Sequence, residues 1–403
     1  MNHLRPLSFP RLPSSFPRRR ESRIDAGTLA VFLTLLGVAL VHHPLSAAPT
    51  VGVFYYPWYA SDFHGRQYLR EHLVPPQLPV LGEYNDRDSE TIRQHADWCR
   101  YAGIDLWIAS WWGPGSREDV TLRDHILGHP DLGDIKIALL YETTGRTSNF
   151  TNYSNLQSDI EYMADHYFNQ PEYFKIDGRP VLYVYLTRVL SSMGDLDDAV
   201  QSLRNAATSK GFDLYIIGDQ VFGGAPSQPG DIALLDAINE YDVYGSMGAS
   251  GYAGQSAVDQ YNARQNQWKS MADQAGAVYI PSITPGFNDK GVRAGHDPVS
   301  RKLTETSEFG TLFQALLGAA LERTDPSAGD LLFITSWNEW HEDTQIEPTS
   351  PAPPTAQDDS PDGDDCTLGL PYEGYNLRYL NLLREATLPQ SVERWKDYEE
   401  RER

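Results

Sequence analysis

Residues 331–342 read LLFITSWNEWHE, an apolar run that passes directly into aromatic and acidic residues. Continuous apolar character without alternation is typical of a β-strand whose two faces are both buried. In parallel α/β sheets the functional groups follow the carboxyl ends of such strands. The stretch therefore predicts a buried strand of a parallel sheet that ends in chemically useful side chains.

Seven similar segments precede this one, and helical segments alternate with them. The strand candidates are 51–59, 104–112, 135–142, 180–186, 214–221, 237–245, 278–286 and 331–340. The helix candidates are 89–101, 155–168, 196–209, 258–275, 309–323 and 375–386. Eight strands alternating with helices predict an α/β fold, a single (β/α)8 TIM barrel over residues 49–403. A doubly wound open sheet is the alternative.

The composition restricts the partners. The 403 residues carry a formal net charge of −22. Such acidity argues against nucleic acid, because proteins that bind phosphates need a basic surface. Aromatic residues make up 11% of the chain, with 9 Trp and 23 Tyr, which suits a flat, weakly charged ligand such as a sugar. The two cysteines, Cys99 and Cys366, do not specify a disulfide framework.

The first 48 residues differ from the rest. Residues 1–28 carry six arginines against two acidic residues, residues 29–41 are apolar, and residues 44–48 (PLSAA) offer small residues for cleavage. This order is the pattern of a secretory signal, whereas a membrane span normally needs about 20 apolar residues. We therefore expect residues 1–48 to be an N-terminal extension and secretory signal. Export to the periplasm or the extracellular space follows, with no membrane contact once the signal is removed.

Aromatic and acidic residues lie at the carboxyl ends of the predicted strands, at the rim where barrel enzymes hold their substrates. They include Tyr56 and Trp58 at the end of the first strand, Trp111 and Trp112 at the end of the second, Glu142 at the end of the third, Tyr241, Asp242 and Tyr244 at the end of the sixth, and Trp337, Asn338, Glu339, Trp340, His341 and Glu342 at the end of the eighth. Aromatic faces stack on the C–H faces of sugar rings, and carboxylates hold hydroxyl groups. The set predicts a carbohydrate cleft, with ordinary packing at the barrel top as the alternative for any single aromatic residue.

Residues 348–366 read PTSPAPPTAQDDSPDGDDC. Their proline and aspartate content predicts a mobile, acidic surface insertion between the last strand and its helix. The aspartates lack the spacing of a calcium-binding loop, which favours a solvated acidic loop over an ion site at residues 357–366.

Several catalytic motifs are absent. His341-Glu342 is followed by Gln345, where a zinc protease would need a second histidine. The chain also lacks the serine-hydrolase elbow, the phosphate-binding loop and the dinucleotide fingerprint. No metal and no cofactor is therefore predicted.

Glu339 and Glu342 are the candidate catalytic pair. Glycoside cleavage usually uses two carboxyl groups. If the chain turns helically here, the two side chains share one side, with Cβ atoms about 5–6 Å apart. Such proximity separates their pKa values, so that one can act as an acid while the other acts as a base. A pair of surface carboxylates is the alternative, but the large neighbours Trp337, Trp340 and His341 favour an enclosed pair.

The run FITSWNEWHEDTQIE (333–347) resembles the signature of glycoside hydrolase family 99, the endo-α-1,2-mannosidases and mannanases. Further matches occur in order at Tyr55-Tyr56, Trp58-Tyr59, Ser110-Trp111, Pro114-Gly115, Glu142, Ile280-Pro281-Ser282, Pro285-Gly286 and Arg293. The resemblance spans residues 51–395. It implies a (β/α)8 barrel, no required metal, and hydrolysis that retains the anomeric configuration.

The resemblance also implies roles for individual residues. Glu339 would help to deprotonate the sugar 2-hydroxyl, which attacks the anomeric carbon to give a 1,2-anhydro sugar. Glu342 would protonate the leaving oxygen and then activate water. The implied partner is an oligosaccharide or polysaccharide, and the expected state is a monomer. The candidate substrate contacts are Tyr56, Trp111, Glu142, Tyr244, Asn338, His341, His72 and Trp58.

This chain departs from the family pattern in three places. It has Leu69-Arg70-Glu71-His72 where the family has His-Trp-Asn-His, Glu142-Thr143-Thr144 where the family has Glu-Pro-Tyr, and Asp343 where the family has glycine. The reaction type is therefore better supported than the mannan substrate. A hydrolase of another α-linked glycan, similar to an α-1,3-glucanase, and a glycan-binding barrel without catalysis remain alternatives.

Overall fold

A parallel sheet forms the centre of the fold in the computed structural model, which describes residues 48–226 and 228–388. The strands are β1 (Thr50–Tyr55), β2 (Ile104–Trp111), β3 (Lys136–Tyr141), β4 (Lys175–Ile176), β5 (Arg179–Val184), β6 (Tyr215–Asp219), β7 (Ala237–Asn239), β8 (Val278–Tyr279), β9 (Ser282–Ile283), β10 (Leu331–Ile334), β11 (Thr349–Thr355) and β12 (Tyr372–Asn376). Nine of them are hydrogen-bonded in the order β8-β7-β6-β5-β3-β2-β1-β10-β9, and β4 pairs antiparallel with β5.

Helices follow the strands along the chain. They are α1 (Leu69–His72), α2 (Ser89–Ala102), α3 (Arg117–Thr121), α4 (Thr143–Arg146), α5 (Asn155–His166), α6 (Thr187–Met193), α7 (Leu196–Ser209), α8 (Val243–Met247), α9 (Gly254–Ala275), α10 (Thr311–Leu321) and α11 (Arg378–Thr387). Single 3₁₀ turns occur at Phe63–Gly65, Pro229–Leu234, Pro326–Ala328 and Trp340–Glu342, and a π turn at Leu122–Ile126. None of the helices in the described part combines the length and the apolar character that a membrane crossing needs.

Strands β8 and β9 together close the sheet into a barrel. Only two residues separate β8 from β9, so one short stretch bonds to β7 on one side and to β10 on the other. The amide of Ile280 donates to the Ile238 carbonyl, and the amide of Phe333 donates to the Pro281 carbonyl. A sheet bonded on both sides in this way has no open edge, which excludes the doubly wound alternative. The predicted (β/α)8 TIM barrel is confirmed.

Aromatic side chains fill the barrel interior. Phe54 lies edge-on to Tyr183 at 5.0 Å between ring centroids and to Phe333 at 5.9 Å. Gly52 allows this packing, because a Cβ at that position would lie 2.9 Å from the Phe333 ring. A second apolar layer lies between the strands and the helices and includes Trp98, Trp107 and Leu316, all of them buried.

Some predicted element boundaries are wrong. The segment predicted as strand 237–245 ends at Asn239, since Asp242 accepts a hydrogen bond from the Gly245 amide at 2.9 Å and thereby starts α8. The strand predicted at 51–59 likewise ends at Tyr55. The helix predicted at 375–386 begins at Arg378, because residues 372–376 form β12.

The proline-rich segment after the last barrel strand is not a structureless insertion. Its first part forms β11, which pairs antiparallel with β12. Prolines are compatible with this position because an edge strand does not need every amide for its ladder. The aspartates follow β11, and Asp358 accepts hydrogen bonds from the amides of Cys366 and Thr367.

The predicted secretory signal, apart from residue 48, lies outside the described residues, as do residues 389–403. Export therefore stays a prediction from the sequence.

Candidate active site

The turn that carries Glu339 and Glu342 follows β10 at the carboxyl end of the barrel. Glu339 is the N-cap of the 3₁₀ turn Trp340–Glu342, and its side chain accepts a hydrogen bond from the His341 amide at 3.1 Å. The Ser336 hydroxyl in turn accepts a hydrogen bond from the Glu339 amide at 2.9 Å. The backbone of Glu339 is itself not helical, with φ −81° and ψ 82°, and the 3₁₀ turn that it caps ends at Glu342.

Two buried residues fix this turn to the rest of the barrel. Asn338 bonds both backbone groups of Tyr56, accepting from its amide at 2.7 Å and donating to its carbonyl at 3.0 Å. Glu347 accepts hydrogen bonds from Trp340 Nε1 and the Tyr84 hydroxyl, both at 2.8 Å. Since both anchors have no exposed surface, the carboxylate pair stands on a rigid support.

Burial raises the pKa values of two carboxyl groups at this end of the barrel, Glu342 and Glu142. Burial and the nearby charge of Glu339 raise the pKa of Glu342 to about 7, although Arg293 opposes the rise. Burial also raises the pKa of Glu142 to about 8, against the lowering effect of its hydrogen bond from Ser110. At neutral pH a proton is therefore available on Glu342, which is the requirement for a general acid.

Aromatic side chains surround the pair. The hydroxyls of Tyr56 and Tyr241 share a hydrogen bond of 2.5 Å, and the ring of Tyr56 lies 4.5 Å from that of Trp58. Trp58 stacks on His64 at 4.4 Å, and His64 lies edge-on to His341 at 5.3 Å. Charges on Glu339 and Glu142 contribute to a raised pKa at Tyr56, after burial, so these groups lie within electrostatic range of one another.

His341 is held beside Glu339. Its Nε2 atom bonds the Arg66 carbonyl at 2.9 Å, and its Nδ1 atom lies 3.5 Å from Glu339 Oε1. Burial alone would lower the pKa of His341, but the hydrogen bond and charge of Glu339 raise it.

A second wall joins strands β2 and β3. The Ser110 hydroxyl donates to Glu142 Oε1 at 2.6 Å and accepts from Trp112 Nε1 at 2.9 Å. Glu142 is 5% exposed, whereas Trp112 is half-buried. The three side chains therefore present a carboxyl group and an accessible indole together.

The opposite wall contains Tyr244 and Arg293. Tyr244 is half-buried and stacks on Phe287 at 3.4 Å between centroids. Arg293 Nη2 donates to Glu342 Oε1 at 2.6 Å. The described residues contain no cluster of three or more His, Cys, Asp or Glu side chains arranged to hold a metal ion.

Comparison with known proteins identifies the family. Residues 50–358 match the model of glycosyl hydrolase family 99. The chain belongs to glycosyl hydrolase family 99. It is therefore a glycoside hydrolase, whose substrates are oligosaccharides or polysaccharides.

Relatives of this family 99 chain include glycoprotein endo-alpha-1,2-mannosidase of Rattus norvegicus, 28% identical over 83% of this chain and 77% of the relative. Among solved structures, the GH99 endo-alpha-mannosidase of Bacteroides thetaiotaomicron has a TM-score of 0.54 at 21% identity, covering 85% of this chain and 99% of that one. A glycoside hydrolase-like protein has a TM-score of 0.57 at 19% identity, covering 88% and 98%. The structural similarities support the barrel fold.

The candidate site brings together most of the residues predicted from the sequence. Glu339, Glu342, Tyr56, Trp58, Glu142 and His341 interact through the contacts and charges given above. Tyr244 lies within electrostatic range of Glu342, whose charge contributes, after burial, to the raised pKa of Tyr244. Three other predicted sugar contacts are placed differently.

Trp111 is fully buried in the layer between sheet and helices, where its Nε1 donates to Asp119 at 3.0 Å. Asn338 has no exposed surface and bonds the backbone of Tyr56. His72 bonds Asp359 of the acidic segment at 3.0 Å. Trp111 and Asn338 have no exposed surface for a ligand, so they support the candidate site from behind.

Two aromatic groups at the candidate site were not among the predicted substrate contacts: Trp112, which the sequence placed only in the wider set at the rim, and His64, which it did not single out. Trp112 takes the accessible position, because successive side chains of a strand point to opposite faces and Ser110 already faces Glu142. His64, which stacks on Trp58, follows the first strand in a loop that carries no periodic signal. The serine within an otherwise apolar strand was the available sign of the inward-facing position.

Proposed function

We propose that this chain is a retaining, endo-acting hydrolase of α-mannosidic linkages that works through a 1,2-anhydro sugar. The observation that carries the proposal is the turn itself, in which a carboxyl group of raised pKa lies three residues from a second carboxylate. The names of the relatives, which are endo-α-mannosidases, support the choice of mannose and of internal cleavage.

In the first step, Glu339 accepts the proton of the 2-hydroxyl while that oxygen attacks the anomeric carbon. The bond from the anomeric carbon to the leaving oxygen breaks, and Glu342 gives its proton to that oxygen. Because the nucleophile belongs to the sugar, neither carboxylate has to reach the anomeric carbon.

In the second step, Glu342 accepts a proton from water, whose oxygen attacks the anomeric carbon. The bond from this carbon to the 2-oxygen breaks, and Glu339 returns its proton to that oxygen. Two inversions give net retention. Glu342 must therefore be protonated at the start of one step and ionised at the start of the next.

The substrate contacts follow from exposure. Trp58, Trp112 and Tyr244 are half-buried, so each offers ring surface to a sugar while remaining fixed by its neighbours. We assign to Trp112 the stacking role expected from the sequence at Trp111. Glu142 and the hydroxyl of Tyr56 would hold sugar hydroxyls.

The direct test is incubation of the purified protein with α-mannan, with an α-1,3-glucan as the competing substrate. We expect internal cleavage of mannan, with the α-anomer formed first in a time-resolved ¹H NMR experiment. Initial formation of the β-anomer would exclude the anhydro-sugar route. Cleavage of glucan alone would transfer the activity to that substrate, and binding without product would leave a glycan-binding barrel.

The variant Glu342→Gln tests the acid. We expect kcat/KM on α-mannan to fall by at least about 100-fold, since general acid catalysis typically contributes 10²–10⁴-fold. On a substrate with an activated aryl leaving group, the variant should lose less of its first-step rate, because that leaving group departs without a proton. The kinetics of both substrates are measured beside Glu305→Gln, which changes an exposed glutamate and should leave both rates unchanged. Equal loss on both substrates in the first turnover would remove Glu342 from the acid role.

A further inference from the structure

The loop after β9 supplies a cation to the candidate acid. Arg293 Nη2 lies 2.6 Å from Glu342 Oε1, and among the described residues no other cationic side chain forms an ion pair with Glu342. The loop reaches the acid from a different strand, and the amide of Asn288 donates to the Glu342 carbonyl at 2.7 Å. The acid is therefore held at both its backbone and its side chain by one neighbouring segment.

Arg293 is itself fixed from behind. Its Nε lies 2.7 Å from Asp289 Oδ2, and Asp289 is fully buried. His296 bonds the same carboxylate oxygen at 2.7 Å. Ion pairs with Asp289 on one side and Glu342 on the other restrict the Arg293 guanidinium, although half of the Arg293 side-chain surface is exposed.

The other groups around Glu342 act in the opposite direction. The negative charges that face it come from Glu339 on its own turn and Asp242 after β7. Glu142 after β3 also faces it, but burial raises the pKa of Glu142 to about 8, so this carboxyl group is mostly protonated at neutral pH. The tyrosines that face it are Tyr56, Tyr185, Tyr241 and Tyr244, whose pKa values are all raised by burial, so they are uncharged at neutral pH. His341 is the remaining titratable group, and it is bonded to Glu339.

We propose that Arg293 is a positioning residue that fixes Glu342 and offsets its negative surroundings, so that the same carboxyl group can first donate and then accept a proton. The inference rests on the proposed function, in which Glu342 acts twice. Without the guanidinium, burial and the charges of Glu339 and Asp242 would keep Glu342 protonated, which favours the first step and obstructs the second.

The test compares Arg293→Gln and Arg293→Lys with a control, Lys290→Gln. This control removes another cation of the same loop, whose ammonium group donates to the Ala294 carbonyl. In Arg293→Gln, we expect the alkaline limb of kcat/KM on α-mannan to move up by about one pH unit or more, the usual effect of losing a close opposite charge. On an activated aryl substrate, where ring opening limits the rate, kcat at pH 7 should fall by about 5-fold or more, because a rise of one unit from a pKa of about 7 leaves only about a tenth of Glu342 ionised instead of half. Arg293→Lys should restore most of the pH profile, and Lys290→Gln should match the parent protein.

A ¹³C NMR titration of the glutamate carboxyls, with Glu342 assigned from the Glu342→Gln spectrum, reads the acidity of this group without any substrate. An upward shift in Arg293→Gln supports the inference even if the parent protein cleaves no mannan, which would count against the proposed function alone. An unchanged titration, or an unchanged pH profile in an active variant, would overturn the inference. A loss of kcat without any movement of the pH profile would reduce Arg293 to a structural role and would also overturn it.

Discussion

At the scale of single residues, Glu240 illustrates what burial of a carboxyl group costs. It follows β7, has no exposed surface, and lies beside Tyr261 of α9. Neither carboxylate oxygen has a hydrogen-bond partner among the described residues, because the Tyr261 hydroxyl donates to the Ser282 carbonyl at 3.0 Å. Burial raises the pKa of Glu240 well above its ordinary value. The folded protein therefore keeps this group neutral where the unfolded chain would ionise it.

The expected consequence is a stability that declines with pH. Above the ordinary carboxyl pKa the unfolded chain loses this proton first, so unfolding becomes more favourable by about 1.4 kcal/mol per pH unit until the folded pKa is reached. Glu240→Gln has no proton to lose. The unfolding free energy of Glu240→Gln, relative to that of the parent, should be lowest near pH 4 and should rise through neutral pH. Urea unfolding at several pH values measures this difference. The same series on Glu305→Gln should run parallel to the parent. A difference that shrinks as the pH rises would contradict the argument.

The neighbouring pair Trp111 and Trp112 shows where residue-level prediction from sequence ends. The strand is apolar on both faces, so hydropathy does not distinguish the side chain that faces the site from the one that faces the helices. The carboxylates Glu339 and Glu342 could be predicted because their spacing on a turn carries the chemistry. For Trp112 the only sign was Ser110, two residues earlier on the same face of the strand, whose hydroxyl accepts from Trp112 Nε1 at 2.9 Å.

At the scale of elements, the short helix α4 is shaped by the tryptophan that it covers. A Cβ on Gly145 would lie 2.6 Å from Trp112 Cε3. The backbone at this glycine is not left-handed, so alanine is conformationally allowed there and only the indole ring opposes it. Helix α4 therefore packs directly against Trp112 of the candidate site, at Gly145.

Gly145→Ala should consequently displace the Trp112 ring and weaken its hydrogen bond to Ser110. We expect kcat/KM on a substrate of the enzyme to fall by roughly 10-fold, the equivalent of one lost hydrogen bond of about 1.4 kcal/mol. The matched control is Gly318→Ala in α10, where nothing lies within 4 Å of the added Cβ. It should raise the thermal midpoint slightly and leave activity unchanged. Full activity in Gly145→Ala would show that Trp112 does not contact the substrate.

Element boundaries were predictable only where they depended on local pattern. Helix α7 (Leu196–Ser209) coincides with its prediction, because its apolar face repeats at helical spacing. The strand predicted at 278–286 is divided, since its two halves bond different neighbours, and that division is decided by barrel closure. The strand β11 went unpredicted because its partner β12 lies beyond the aspartates.

At the scale of the whole molecule, one buried ion network joins distant parts of the chain. Asp343, directly after the candidate acid, contacts Arg70 Nε at 2.5 Å and Arg301 Nε at 3.2 Å. Both guanidinium groups also lie over the ring of Tyr375 in β12, at 4.9 and 4.8 Å. Segments that follow β1, β9 and β10 thus meet β12 at a single carboxylate.

Asp343→Asn should therefore destabilise the protein by about 3–5 kcal/mol, because two buried guanidinium groups lose their counterion. Asparagine tolerates the left-handed backbone of this position, whose φ is 49°, so the substitution tests charge rather than strain. Denaturant midpoints are compared with those of Glu90→Gln, which breaks the exposed pair with Arg93 and should leave the midpoint unchanged. Equal midpoints for the two variants would show that the buried network contributes nothing to stability.

The closed ring of strands also determines when each strand can find its neighbours during synthesis. Strand β1 pairs with β2 on one edge, but its other edge pairs with β10, Thr50 opposite Leu331. At about 5–20 residues per second, a ribosome takes roughly 15–60 seconds to make the intervening chain. Throughout that time the apolar edge of β1 has no partner of its own and can pair with other chains. Of the barrel strands described, β1 is made first and waits longest for a neighbour, β10.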